Sequence, residues 1–106
     1  MTGSELTAYR ATVALVTTAA QGIVSVYRQN RTISRGQIQL LRLEAEKAVA
    51  LQRARALGDL TRTNLRELID TSRIIEALDD YNPALPYCMN QLEHLSRALQ
   101  RIIDDF

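Results

Sequence analysis

Apolar residues recur along this chain at alternating steps of three and four. Near its start they fall at Leu6, Tyr9, Val13, Val16, Ala20, Ile23 and Tyr27. That spacing belongs to a helix with one buried stripe, as in a coiled-coil seam. It predicts a first helix from about Ser4 to Gln29, with Ser4 as N-cap and Glu5 favourable in the first turn. Leu15, Ala19 and Val26 widen the stripe. Ala14, Thr18 and Gly22 add a strip of small residues along which another backbone can approach closely. A second unbroken seam runs through Leu85, Cys88, Leu92, Leu95, Leu99, Ile102 and Phe106, and predicts a last helix from about Pro86 almost to Phe106.

Two further helices fit between these seams. Ser34 and Gln37 form a capping box, and Ile33 is placed to staple onto Ile38. The second helix is expected to run to about Leu57. Its apolar residues lie in two groups, Ile38, Leu41, Ala45 and Ala48, then Leu40, Leu43, Leu51 and Leu57. These groups occupy different sides, as in a helix sandwiched between neighbours. Gly58-Asp59 signals a break, since Gly ends helices and Asp caps the next one. A third helix follows from about Leu60 to Tyr81, turning Leu65, Leu68, Ile69, Ile75 and Leu78 inward. The junction is short enough that one long bent helix is the alternative. Asn82-Pro83 ends the third helix, because the residue before a proline avoids α geometry. No alternation of strand length competes. The pattern therefore predicts an all-α chain: an antiparallel bundle of three to four helices, one domain spanning residues 1–106, assembled as a dimer.

The dimer rests on the distribution of charge. Seventeen consecutive residues, Ala11 to Tyr27, carry none. An ordinary surface helix has an apolar face and a charged face; this one has no charged face and needs cover from the rest of the chain, from a second copy or from lipid. Lipid fits poorly. Seventeen residues reach roughly 26 Å against a hydrocarbon core of about 30 Å, and Thr12, Thr17, Thr18, Gln21 and Ser25 interrupt them. No membrane span is expected, and a homodimer is favoured. The candidate interface is the two terminal seams: Leu6, Tyr9, Val13, Val16, Ala20, Ile23 and Tyr27 with Leu92, Leu95, Leu99 and Ile102.

Overall composition, 46% apolar with a net charge of +1, is that of a folded protein with no general pull towards polyanions. The charge is uneven, however. Residues 28–73 carry ten basic and five acidic side chains, and residues 74–106 carry two basic and six acidic. Arg28, Arg31 and Arg35 gather at the first turn without an acidic neighbour, and Thr32-Ile33-Ser34-Arg35 echoes the opening of a DNA-reading helix. Against that, Ile23 and Tyr27 stand where a helix-turn-helix usually has small residues. Capping accounts for Ser34, the staple for Ile33, and the helix dipole for Arg28. Nucleic-acid binding through Arg28, Arg31 and Arg35 is thus the second reading.

Candidate chemistry is thin. Cys88 is the only cysteine and suits a reducing compartment, most simply a bacterial cytoplasm. On the seam it reads as a small buried hydrophobe rather than a nucleophile. His94 is the only histidine and lies off the seam, with no Glu three residues before it. Asp79-Asp80 and Asp104-Asp105 are adjacent on helices, where neighbours point about 100° apart and do not converge. There is no glycine-rich phosphate loop. No catalytic residue, metal site or cofactor is expected. The sequence reads as a non-enzymatic cytoplasmic protein–protein interaction module of a small bacterial accessory protein. Adaptor, chaperone, immunity protein and regulator subunit fit equally well.

Overall fold

A computed structural model describes residues 3–51 and 58–105. Among them four helices form and no strand: α1 (Gly3–Asn30), α2 (Arg35–Leu51), α3 (Gly58–Ala77) and α4 (Leu85–Asp104). α1 begins one residue before Ser4, which lies within its first turn rather than at its cap. At its other end Arg31 takes a left-handed φ of 57° while its N–H donates to the Tyr27 carbonyl, the geometry that closes many helices. α2 starts as expected. The Gln37 N–H donates to Ser34 Oγ at 3.3 Å, and Ile33 packs against the core. Leu57, where the second helix was expected to end, lies outside the described residues. Gly58 has the left-handed φ of 79° that its place at a break predicts.

α2 and α3 are two helices packed side by side, not one bent rod. α1 touches α2 and α4, α3 touches α2 and α4, and the diagonal pairs do not meet. The result is a square ring of antiparallel neighbours measuring 46 × 22 × 19 Å. Arg10 reaches the Ile103 carbonyl at one end of the α1–α4 pair, and Arg28 pairs with Glu93 near the other. Arg42 bridges α2 to α3 through Glu76 at 3.0 Å, and Arg73 returns to Glu46 at 3.2 Å.

Inside the ring lie Tyr9, Val13, Val16, Ala20, Ile23 and Tyr27 of α1, with Ile38, Leu41, Ala45 and Ala48 of α2. Leu65, Leu68, Ile69 and Ile75 of α3 and Leu85, Met89, Leu92, Leu95, Leu99 and Ile103 of α4 complete the core. Thr12, Thr17, Ser72 and Ser96 are buried among them at little polar cost. Each hydroxyl donates to a carbonyl three or four residues back on its own helix. Three expectations shift. The α4 seam buries Met89 and Ile103 while Cys88 and Ile102 are half-buried, because the buried side of α4 is centred to one side of the three-four stripe and takes in Met89, Ser96 and Ile103, each seven residues apart. α3 stops at Ala77, before Tyr81. There Asp79 Oδ1 accepts the Tyr81 N–H at 3.0 Å and Asn82 Oδ1 accepts the Ala84 N–H at 2.9 Å. These side-chain turns give the backbone an alternative to helix. Finally, Leu78, expected to turn inward, lies beyond the end of α3 and is only half-buried against the core, while Arg42–Glu46 and Glu93–Arg97 pair four residues apart within their helices.

Candidate functional site

The residues expected to form an interface are spent inside the single chain. Tyr9, Val13, Val16 and Ala20 have no exposed surface, nor do Leu92 and Leu99, and Ile23, Tyr27 and Leu95 have almost none. Leu6 and Ile102 are half-buried. The α1 and α4 seams pack within one ring and offer little area to a partner.

Leu60, Ile74, Tyr81 and Tyr87 are exposed on α3, α4 and the turn between them, and five aliphatic residues are exposed together on the outside of the α1–α2 pair. Leu15 is 59% exposed and Val26 41% on α1; Leu40 is 63%, Leu43 47% and Leu51 38% exposed on α2. On α1 these residues share a strip with Ala11, Ala19 and Gly22, all at helical spacing on the side turned away from α4. Leu40, Leu43 and Leu51 belong to the second apolar group of α2. The sequence pattern suggested that a neighbour covers this group, but among the described residues no helix does. Between the two strips lies a groove of about 330 Å³ lined by Ala19, Gly22, Ile23, Val26, Gln37, Leu40, Leu41 and Glu44. Its lining is mostly apolar because the α1 residues there carry no charge and Leu40 and Leu41 supply the other wall. Two polar side chains interrupt it, Gln37 and Glu44. Glu44 Oε2 is shielded from solvent and has no hydrogen-bond partner among the described residues. A buried carboxylate oxygen without a donor is costly, and a donor arriving from outside relieves that cost.

The arginines at the first turn point to different partners. Arg28 pairs with Glu93 of α4. Arg35 donates to the Leu78 carbonyl and approaches Asp80 at 3.6 Å. Arg31 stands over the Tyr27 ring at 5.6 Å. The Arg28 guanidinium, followed by Arg97, holds the Glu93 carboxyl below its ordinary pKa. Arg28 thus clasps α1 to α4 and Arg35 ties the start of α2 to the turn after α3, while Arg31 stays against α1.

Compared with protein-family models, curated proteins and solved structures, the chain matches none.

The remaining candidates stay apart. Cys88 is half-buried against the core, and burial pushes its thiol pKa up, so little reactive thiolate is present at neutral pH. His94 is exposed beside Arg97 and Arg101. Asp79 is occupied by its turn and Asp80 faces Arg35. Among the described residues no group of three metal-ligating side chains comes together, and no helix is long and apolar enough to cross a membrane.

The sequence held the signal for the groove in two pieces. The chargeless stretch marked α1, and the second apolar group marked α2. Assigning both to helix packing concealed the surface they form together. Glu44 gave no signal, since its isolation depends on where α1 lies.

Proposed function

We propose that this chain is a non-enzymatic interaction module whose working surface is the outer face of α1 and α2. Helices of another chain laid against this face would cover Leu15, Val26 and Leu40 and close over the groove between them. One observation carries the reading: a mostly apolar groove lies between the exposed Leu15 and Val26 of α1 and the exposed Leu40 of α2, side chains that no core contact accounts for. Polar substitutions are well tolerated at exposed helix positions, so five large exposed aliphatics on two adjacent helices mark a surface that another protein covers.

Nucleic-acid binding has less support, since two of the three arginines it needs are engaged by carboxylates of the same chain. The test is a pull-down from the native cell in low and high salt, with the wild-type chain and Leu40→Glu as baits. The expected result is a salt-stable protein partner held by the wild type and lost from Leu40→Glu, with His94→Glu behaving as wild type. Recovery of nucleic acid that washes off with salt, unaffected by Leu40→Glu, would overturn the reading.

A further inference from the structure

Resting on that reading of the α1–α2 face, we infer that its occupant is a second copy of the chain, related by a two-fold axis crossing both helices. The argument is the symmetry of the two exposed strips. On α2, Leu40, Glu44, Lys47 and Leu51 lie within one narrow arc of the helix, at steps of four, three and four. That spacing reads the same in either direction. Set antiparallel against itself about the midpoint between Ala45 and Glu46, the strip places Leu40 opposite Leu51 of the second copy and Glu44 opposite Lys47 of the second copy. Every layer is complementary: two leucine pairs outside, two opposite-charge pairs within. The unpartnered Glu44 oxygen gains a cation, and Lys47, exposed and without an ion pair among the described residues, gains a carboxylate.

α1 repeats the device. Leu15, Ala19, Gly22 and Val26 are also spaced four, three and four, about a midpoint between Ala20 and Gln21. Reversed, Leu15 meets Val26 and Ala19 meets Gly22, so large pairs flank a small centre where two backbones approach closely. The midpoints are level. Each stands about ten residues, roughly 15 Å along its helix, from the turn that joins Asn30 to Arg35. One axis therefore serves both helices, which is what an isologous interface demands.

Gly22 supplies an independent observation. It sits in mid-helix, where glycine costs about 1 kcal/mol relative to alanine. Its φ is not in the left-handed region, and a Cβ there would meet nothing within 4 Å. Nothing within the chain requires a glycine, whereas a second copy packed on this spot does.

The experiment is sedimentation of Glu44→Lys and Lys47→Glu, each alone and mixed in equal amounts. Each variant alone opposes like charges twice across the axis and should associate at least tenfold more weakly than wild type. In the mixture, two lysines of one copy face two glutamates of the other, and the two-chain species should return. Gly22→Leu should keep the circular dichroism of the wild type and lose the dimer. A mixture that stays as weakly associated as its components overturns the two-fold register. A wild type of one-chain mass at 50 μM overturns the second copy altogether. In that case a protein partner still lost from Leu40→Glu would leave the broader reading of this face standing, and loss of that result too would remove both.

Discussion

α1 and α4 carry matching seams on their inner sides and opposite chemistry on their outer sides. Inside, both present large aliphatic residues at three-four spacing, and both are buried to a similar depth. Outside, α4 shows Asn90, Gln91, His94, Arg97, Arg101 and Asp104, an ordinary wet surface. α1 shows Ala11, Leu15, Thr18, Gly22, Ser25 and Val26. Folding places the same demand on the inner side of each helix. The outer side is free to vary, and what it carries reports what else the helix must meet. α3 exposes Arg66, Glu67, Asp70 and Arg73 beside the isolated Leu60 and Ile74, so charge dominates its outer side as it does that of α4.

Charge placed on either seam should have the largest effect. Val16→Glu on α1 and Leu95→Glu on α4 each bury a carboxylate without a partner, and each should cost on the order of 3–5 kcal/mol and unfold much of the protein. Thermal unfolding followed by circular dichroism checks this. If Val16→Glu remained folded while Leu95→Glu did not, the α1 seam would be less deeply enclosed than its burial indicates.

The α1 seam also encloses a phenol. Burial raises the Tyr9 pKa from 10.0 to about 12, with Arg62 opposing the shift. Because the folded pKa lies above the unfolded one, this contribution is fully present below pH 10 and disappears as pH rises towards 12. A shift of this size corresponds to roughly 2–3 kcal/mol. Tyr9→Phe should flatten the fall of stability across that window, as read from urea unfolding at stepped pH. An unchanged alkaline slope would mean that Tyr9 ionises within the folded protein without penalty.

Glu93 sharpens the contrast from the α4 side, where charge rather than apolar contact joins the outer edge to α1. Its carboxyl pKa is depressed by the Arg28 hydrogen bond, so the contribution is present above the ordinary carboxylate pKa and is lost as pH falls through the lower folded value. Glu93→Gln should leave a smaller acid-induced loss of stability than in wild type, and the pair is exposed enough that the change stays within about 1 kcal/mol. Equal acid sensitivity of the two proteins would remove the clasp from the account.

The ring was legible in the spacing of apolar residues because that spacing depends only on helix geometry. Val13, Val16 and Ala20, or Leu92, Leu95 and Leu99, must share a side whatever surrounds them. The error on α4 was one of centring: its buried side is rotated from the three-four stripe towards Met89, Ser96 and Ile103, which leaves Cys88 and Ile102 at the edge. Which seam meets which could not be read, since antiparallel α1–α4 packing depends on the course of the whole chain. For the same reason Arg28, Arg31 and Arg35 looked like one site. Their neighbours in sequence carry no acid, and Glu93 and Asp80 arrive only through folding. Leu40, Leu43 and Leu51 were visible as a second apolar side of α2, but periodicity records that a side is apolar and not whether the same chain covers it.

The central claim, that a second copy of the chain covers the α1–α2 face, is tested most directly by sedimentation equilibrium of wild type beside Leu40→Glu. Leu40 is 63% exposed, so the substitution should change folding stability by no more than about 0.5 kcal/mol. The wild type should show twice the chain mass of 11.9 kDa at tens of micromolar, and Leu40→Glu should show that mass once with an unchanged circular dichroism spectrum. Two proteins of identical mass at every concentration would contradict the account.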